Sequence, residues 1–149
     1  MIRSIYLALL LSLASSISCA FVVQQFPLPS LVDPTQFGYS TAIAGPFLFV
    51  GAPVSYEQPG GAGNVFVYKK ADQYTQFQIL GASVRTLGDS LGQAITAYEN
   101  TLVASADRSN VNATTGGIAF VYEFSTSWKE KQVIFSPSAT DYYYFGFAV

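Results

Sequence analysis

The chain has 149 residues, of which 7 are basic and 9 are acidic, and its formal net charge at neutral pH is −2. No basic stripe stands out, so the composition predicts no nucleic-acid partner. The chain contains no histidine, which excludes acid–base and triad mechanisms that depend on an imidazole of this chain.

Residues 1–20 have the pattern of a secretory signal peptide. A short basic start precedes an apolar run from Ile5 to Leu13, and small residues before position 21 predict cleavage after Ala20. The run is too short for a spanning helix, so we expect export without stable membrane insertion. A lipoprotein acylated on Cys19 and a retained membrane anchor remain alternatives. Cleavage removes the only cysteine, so the mature chain can form no intrachain disulfide.

A leading segment, residues 21–36, contains the first predicted strand of the mature chain, Val22–Phe26. The strand ends 11 residues before the Phe-Gly pair at Phe37. In the same way, Leu80 lies 11 residues before Leu91, and Ile134 lies 11 residues before Phe145. We therefore expect Val22–Phe26 to correspond to the last strand of the repeats that follow. A lone last strand at the N-terminus predicts ring closure, in which it completes a unit supplied from the C-terminal side.

The rest of the chain repeats itself with a constant step. Phe37-Gly38, Leu91-Gly92 and Phe145-Gly146 open successive copies 54 residues apart. The copies cover residues 37–90, residues 91–144 and the first residues of a third, 145–149. A fixed period of this size indicates a repeat architecture, in which each unit buries its apolar faces against its neighbours.

Each full copy is predicted to form four short antiparallel strands. In the first copy they are Ser40–Ala44, Phe47–Ala52, Asn64–Lys69 and Thr75–Leu80, and the second copy follows the same positions. β-Branched and aromatic residues fill these runs, and glycine, proline and asparagine separate them. The sequence therefore predicts an all-β fold built as a β-propeller. An ordinary antiparallel sandwich with accidental self-similarity is the alternative.

The ordered motifs Phe37–Ile43, Leu48–Pro53 and Gly61–Tyr68 resemble FG-GAP repeats, the blade sequences of the integrin α-chain N-terminal propeller and of many secreted proteins. The resemblance covers Phe37 to Val149. It implies a partial β-propeller with two four-stranded antiparallel blades, a leading strand and the start of a third blade. The second copy departs from the family pattern, because Leu replaces the Phe and Ser-Ala-Asp at residues 105–107 replaces Gly-Ala-Pro.

Integrin-type blades often carry a calcium loop in the hairpin before Gly-Ala-Pro, and calcium requires several closely spaced oxygen ligands. Here that hairpin contains no carboxylate in the first copy and only Glu99 in the second. The chain resembles the calcium-free subclass, so we expect no metal and no cofactor. Glu99 and Asn100 are predicted to be turn residues.

No residue pattern predicts catalysis. The acidic residues are scattered, and no pair has the arrangement that a glycosidase uses. Asp89 and Asp141 lie in equivalent connectors and are expected to accept hydrogen bonds from loop backbone. The glycine-rich segment Gly60–Gly63 precedes a strand, whereas a phosphate-binding loop precedes a helix.

Candidate binding residues lie in the loops after Gly-Ala-Pro and between the copies, where propellers of this family meet ligands. We expect Tyr56, Arg108, Tyr142 and Tyr143 to contribute, because tyrosine and arginine combine apolar area with polar ends. The alternative is that the tyrosines pack between blades, and we expect this of the neighbouring tyrosine at position 144. Asn112 opens an Asn-Ala-Thr sequon and is a candidate glycosylation site.

The resemblance implies a secreted or cell-surface module that binds or adheres to an extracellular protein or glycan. The chain ends inside a motif, so we expect a truncated product whose further partners are the missing blades of the same propeller. Alternatives are a non-catalytic propeller attached to a larger secreted enzyme, a truncated gene product without function, and a short protein whose copies assemble into a ring.

Overall fold

The structure, a computed structural model, describes residues 36–54, 61–84, 86, 88–110, 116–137 and 144–149. Eight strands form two four-stranded sheets in these ranges, one per repeat, each in sequential order. The first sheet contains β1 Thr41–Ala44, β2 Phe47–Ala52, β3 Asn64–Lys70 and β4 Tyr74–Leu80. The second contains β5 Ile95–Tyr98, β6 Thr101–Ala106, β7 Ile118–Phe124 and β8 Trp128–Phe135.

The prediction of an all-β fold with two four-stranded antiparallel sheets is confirmed for this part of the chain. The predicted strand ends in the first repeat differ from the observed ends by at most one residue. No described helix is long and apolar enough to cross a membrane. The signal peptide and the leading strand Val22–Phe26 lie outside the described residues.

The 54-residue repeat is present in the backbone as well as in the sequence. Val50 pairs with Phe66 in the first sheet, and Ala104 pairs with Phe120 in the second, so residues 54 positions apart occupy equivalent places. Each sheet also has a register shift at the same point between its third and fourth strands. The glycine of each Phe-Gly or Leu-Gly pair has a φ between 85° and 93°, a conformation that glycine adopts without steric cost.

The two sheets pack against each other through non-equivalent faces. The first sheet contributes Phe47 and Phe49, whose rings lie 5.4 Å and 4.9 Å from the ring of Trp128 on the second sheet. Ala104 and Phe120 belong to the same buried cluster. Their counterparts in the first sheet, Val50 and Phe66, belong to a separate cluster on the opposite face of that sheet. One face of the first repeat is therefore covered by the opposite face of the second.

The openings of the second and third copies are bonded to the preceding copy in the same way. The Leu91 N–H donates to the Ala62 carbonyl at 2.8 Å, and the Phe145 N–H donates to the Gly116 carbonyl at 3.1 Å. The residue after each acceptor is a glycine, and a Cβ there would overlap the backbone of Leu91 or Phe145. The start of the third copy therefore contacts the second copy as the second contacts the first.

A side-chain amide also joins the two sheets. Gln78 on β4 donates from Nε2 to the carbonyl of Trp128 at 2.8 Å and accepts the Trp128 N–H at Oε1 at 3.0 Å. These two bonds satisfy both backbone groups of the residue that begins β8. Gln78 thus fixes the start of an outer strand in the neighbouring repeat.

Candidate functional site

A cleft of about 590 Å³ lies at the end of the sheets where each repeat begins. Three of its lining residues, Tyr39, Gln93 and Phe147, occupy the same position in three successive copies, two residues after each opening Phe or Leu. The other described residues of the lining are Asp107, Arg108 and Tyr144. The cleft is therefore formed where equivalent turns of consecutive repeats converge.

One local turn positions all three equivalent residues. Each of them donates its backbone N–H to the carbonyl of the residue three positions earlier. These bonds run from Tyr39 to Gln36 at 3.0 Å, from Gln93 to Ser90 at 3.1 Å and from Phe147 to Tyr144 at 3.1 Å. The first residue of each turn has a positive φ, between 48° and 66°, although none of them is glycine. Non-glycine residues in this conformation are uncommon and carry a steric cost, which the surrounding structure must offset.

Tyr39 and Gln93 are linked across the two repeats. The Gln93 Nε2 donates to the Tyr39 hydroxyl at 2.9 Å. The hydroxyl oxygen accepts this bond and retains its own proton, so it can still donate to a ligand. Because 54 % of Tyr39 is exposed, its ring is accessible at the cleft.

Among the described residues that line the cleft, Asp107 is the one carboxylate. It follows the last residue of β6, is only 2 % exposed, and its Oδ1 has no hydrogen-bond partner. Burial raises the pKa of the Asp107 carboxyl above its ordinary value of 3.8, against the lowering effects of the Arg108 charge and of the Asp107 and Arg108 backbone N–H groups. A buried carboxylate oxygen without a donor is energetically costly, so it provides an available acceptor.

One cationic side chain and two further aromatic rings line the same cleft. Arg108 is exposed and follows Asp107 directly in the chain. Tyr144 and Phe147 are 42 % and 70 % exposed and line the same cleft. The arrangement combines hydrogen-bond donors, an acceptor and accessible rings, which is the usual composition of a site for a small ligand or an anchoring group.

The connector before the second repeat supports the segment that carries Arg108. Asp89, 2 % exposed, accepts hydrogen bonds from the backbone and side chain of Thr86. It also accepts the N–H of Asn110 at 3.2 Å. The expectation that Asp89 bonds to loop backbone is confirmed, whereas Asp141 lies outside the described residues.

The structure places one of the predicted binding residues, Arg108, at the cleft. Tyr56, Tyr142, Tyr143 and the sequon residue Asn112 lie outside the described residues. Tyr144, which was expected to pack between repeats, lines the cleft with 42 % of its surface exposed in this chain, and its packing against a following repeat stays a prediction. A tyrosine beside an aromatic opening residue resembles a core residue in sequence, but the positive φ of Tyr144 turns the chain at that point.

Four further lining residues, Tyr39, Gln93, Asp107 and Phe147, were not among the predicted binding residues. Two signals could have found them. Three of the four share one position of the repeat, and Asp107 stands where the first copy has a proline. A departure from the repeat at a loop position is a functional hint, since packing does not require it.

A second cleft of about 390 Å³ lies at the opposite end of the strands, between the β1–β2 and β5–β6 turns. These are the hairpins in which a calcium loop would lie. Glu99 is the one carboxylate among its described lining residues, and it occupies the β5–β6 turn as predicted. Among the described residues no three histidine, cysteine or acidic side chains are grouped to hold a metal.

Comparisons with known proteins add no relative to this picture. No known family model matches the sequence, and no curated protein matches it. The resemblance to FG-GAP repeats therefore rests on the repeated motifs of residues 37–149 themselves.

Proposed function

We propose that this chain is part of a secreted or cell-surface FG-GAP-type β-propeller that binds an extracellular protein or glycan. The observation that carries the proposal is the cleft in which Tyr39, Gln93 and Phe147 of successive repeats meet Asp107 and Arg108. Equivalent turns that converge on one concave site are a common way for repeat proteins to build a binding surface.

The packing of the sheets supports a propeller over a sandwich. In a sandwich of two equal repeats related by a two-fold axis, both sheets would bury equivalent faces. Here opposite faces meet, which is a heterologous, head-to-tail contact, and such a contact can be repeated from unit to unit. The bond from Phe145 to the second repeat continues the same relation into a third unit.

The composition of the cleft supports binding. Exposed tyrosine, phenylalanine and arginine side chains are enriched at recognition sites, because each offers a large contact area together with directional interactions. The cleft contains all three types within the described residues. Its volume also lies within the range of about 300–1,000 Å³ that ligand sites commonly have.

Export is the second part of the proposal, and it rests on residues 1–20. We expect cleavage after Ala20 in an export-competent host. N-terminal sequencing of the secreted product should then begin at Phe21. Recovery of the chain inside the cell with Met1 intact would contradict the assignment.

Binding can be tested by applying the labelled full-length chain to arrays of extracellular proteins and of glycans. Arg108→Ala should weaken binding to any bound component about tenfold. Tyr98→Ala is the matched control, because Tyr98 is an exposed residue at the opposite end of the sheets. The proposal fails if no component binds, or if Arg108→Ala and Tyr98→Ala bind as the unaltered chain does.

A further inference from the structure

We propose that the cleft binds a neutral hexopyranose unit, with sugar hydroxyls on Asp107 and Arg108 and a face of the sugar ring against the aromatic wall. This inference rests on the proposed binding function and names its ligand class. The wall is defined here as Tyr39, Tyr144 and Phe147.

A buried acceptor without a partner lies in the lining of the cleft. Asp107 is nine-tenths buried or more, lines the cleft, and has an Oδ1 without a hydrogen-bond donor. Nearly all buried polar atoms in folded proteins have hydrogen-bond partners, so we expect a donor from outside the chain to bind this oxygen. A hydroxyl or an N–H group of a ligand would supply it.

The charges of the described lining residues favour a neutral ligand. Asp107 and Arg108 are adjacent, so the described lining of the cleft contains one negative and one positive side chain. The carboxylate would attract a cationic ligand, but the guanidinium would repel it. An anionic ligand would be attracted by the guanidinium and repelled by the carboxylate. Vicinal hydroxyls satisfy both groups without net charge, because one can donate to the carboxylate while the next accepts from the guanidinium.

The aromatic wall provides an apolar contact surface for a sugar ring. Its three rings are exposed, from 42 % for Tyr144 to 70 % for Phe147. A pyranose presents a face of C–H groups that can pack on the electron-rich face of an aromatic ring. The Tyr39 hydroxyl accepts from Gln93, so its proton is directed to another acceptor, such as a sugar oxygen.

Saturation-transfer NMR on the full-length chain tests the inference directly. The neutral probes are the methyl glycosides of glucose, galactose, mannose and N-acetylglucosamine, and the charged probes are glucuronic acid and glucosamine. We expect at least one neutral glycoside to receive saturation and to bind more tightly than its charged counterparts. Failure of all neutral probes, or tighter binding of a charged probe, would overturn the inference.

Two variants locate the binding. Asp107→Asn preserves the size of the side chain but removes one acceptor oxygen, and Tyr39→Ala removes part of the wall from an exposed position. Each should weaken glycoside binding about tenfold, whereas Tyr98→Ala should leave it unchanged. Because Asp107 is buried, a circular dichroism spectrum must show that Asp107→Asn is folded, and Tyr39→Ala provides the test if it is not. Unchanged binding in Tyr39→Ala would contradict the inference.

This outcome can be separated from that of the proposed function. If the arrays detect an extracellular protein whose binding depends on Arg108, and no hexoside binds, the module binds at the cleft and the sugar assignment is wrong. If a neutral hexoside binds and Tyr39→Ala weakens it, both proposals stand.

Discussion

The first and second repeats have the same backbone but present different side chains at equivalent positions. In the first repeat, Phe47 and Phe49 lie between the two sheets. Their counterparts, Thr101 and Val103, lie on the outer face of the second sheet, where they are exposed and partly buried. The repeat therefore specifies the strands, whereas the neighbour of each face determines where large apolar side chains are buried.

A charged pair on the second sheet and an aromatic pair on the first show the same difference between an outer and an inner face. On the outer face of the second sheet, the Lys131 ammonium lies 3.5 Å from the Glu123 carboxylate, and both side chains are more than half exposed. At the position of Lys131 the first repeat has Phe77, whose ring lies 5.6 Å from that of Phe47. An exposed ion pair contributes little stability, whereas packed rings contribute much more. Stability should thus be concentrated at the face between the sheets.

The largest expected effect is the loss of an aromatic ring from that face. Phe49→Ala should lower the free energy of unfolding by about 3–5 kcal/mol, because it leaves a cavity beside Trp128. Val103→Ala, at the equivalent position of the second sheet, should cost less than about 1.5 kcal/mol. Denaturant unfolding followed by tryptophan fluorescence measures both. Equal losses would show that the outer face of the second sheet is as tightly packed as the inner one.

A buried polar side chain of the first repeat has an apolar counterpart in the second, and replacing it should raise stability. Asn64 is fully buried and neither polar atom of its amide has a hydrogen-bond partner, while its counterpart in the second repeat is Ile118. Asn64→Val should raise the free energy of unfolding by about 1–3 kcal/mol, because it removes an unsatisfied buried amide. Ile118→Val is the matched control and should lower it by about 0.5–1.5 kcal/mol. A loss of stability in Asn64→Val would show that the amide has a stabilising role.

Two glutamines at equivalent positions make a narrower comparison. Gln78 holds both backbone groups of Trp128, whereas Gln132 is exposed on the second sheet. Gln78→Ala should cost about 1–3 kcal/mol, since two buried backbone groups lose their partner. Gln132→Ala should change stability by no more than about 0.5 kcal/mol. Thermal unfolding of the two variants measures the difference. Equal midpoints would mean that the hydrogen bonds of Gln78 to Trp128 do not stabilise the fold.

Much of the fold could be predicted from the sequence because its determinants are local. Alternating apolar runs and turn residues fix the strand bounds to within a residue, and the 54-residue period fixes which residues are equivalent. The head-to-tail choice of faces could not be predicted in this way. Val50 and Phe49 are both apolar, and only the adjacent sheet determines that Phe49 is buried against it.

The candidate site was less predictable for a similar reason. Arg108 could be selected by residue type, because an exposed loop arginine commonly contributes to recognition. Tyr39 and Phe147 are 108 residues apart in the sequence, and they share a cleft because equivalent turns converge in space. Asp107 became a candidate once its burial and its unsatisfied oxygen were known.

The last and smallest expected effect concerns Asp107, which replaces the proline at position 53 of the first repeat. Burial raises the pKa of the Asp107 carboxyl above 3.8, so between the unfolded and folded pKa values the folded state binds more protons than the unfolded state. Stability contributed by this group is therefore present at low pH and is lost as the pH rises through the folded pKa. Asp107→Asn cannot titrate, and the other carboxyl groups are common to both proteins. Unfolding free energies of the two proteins, measured from about pH 4 to pH 7, should show the unaltered chain losing stability relative to Asp107→Asn as the pH rises. A difference that stays constant with pH, or that changes in the opposite direction, would mean that Asp107 is already paired and is not the free acceptor at the cleft.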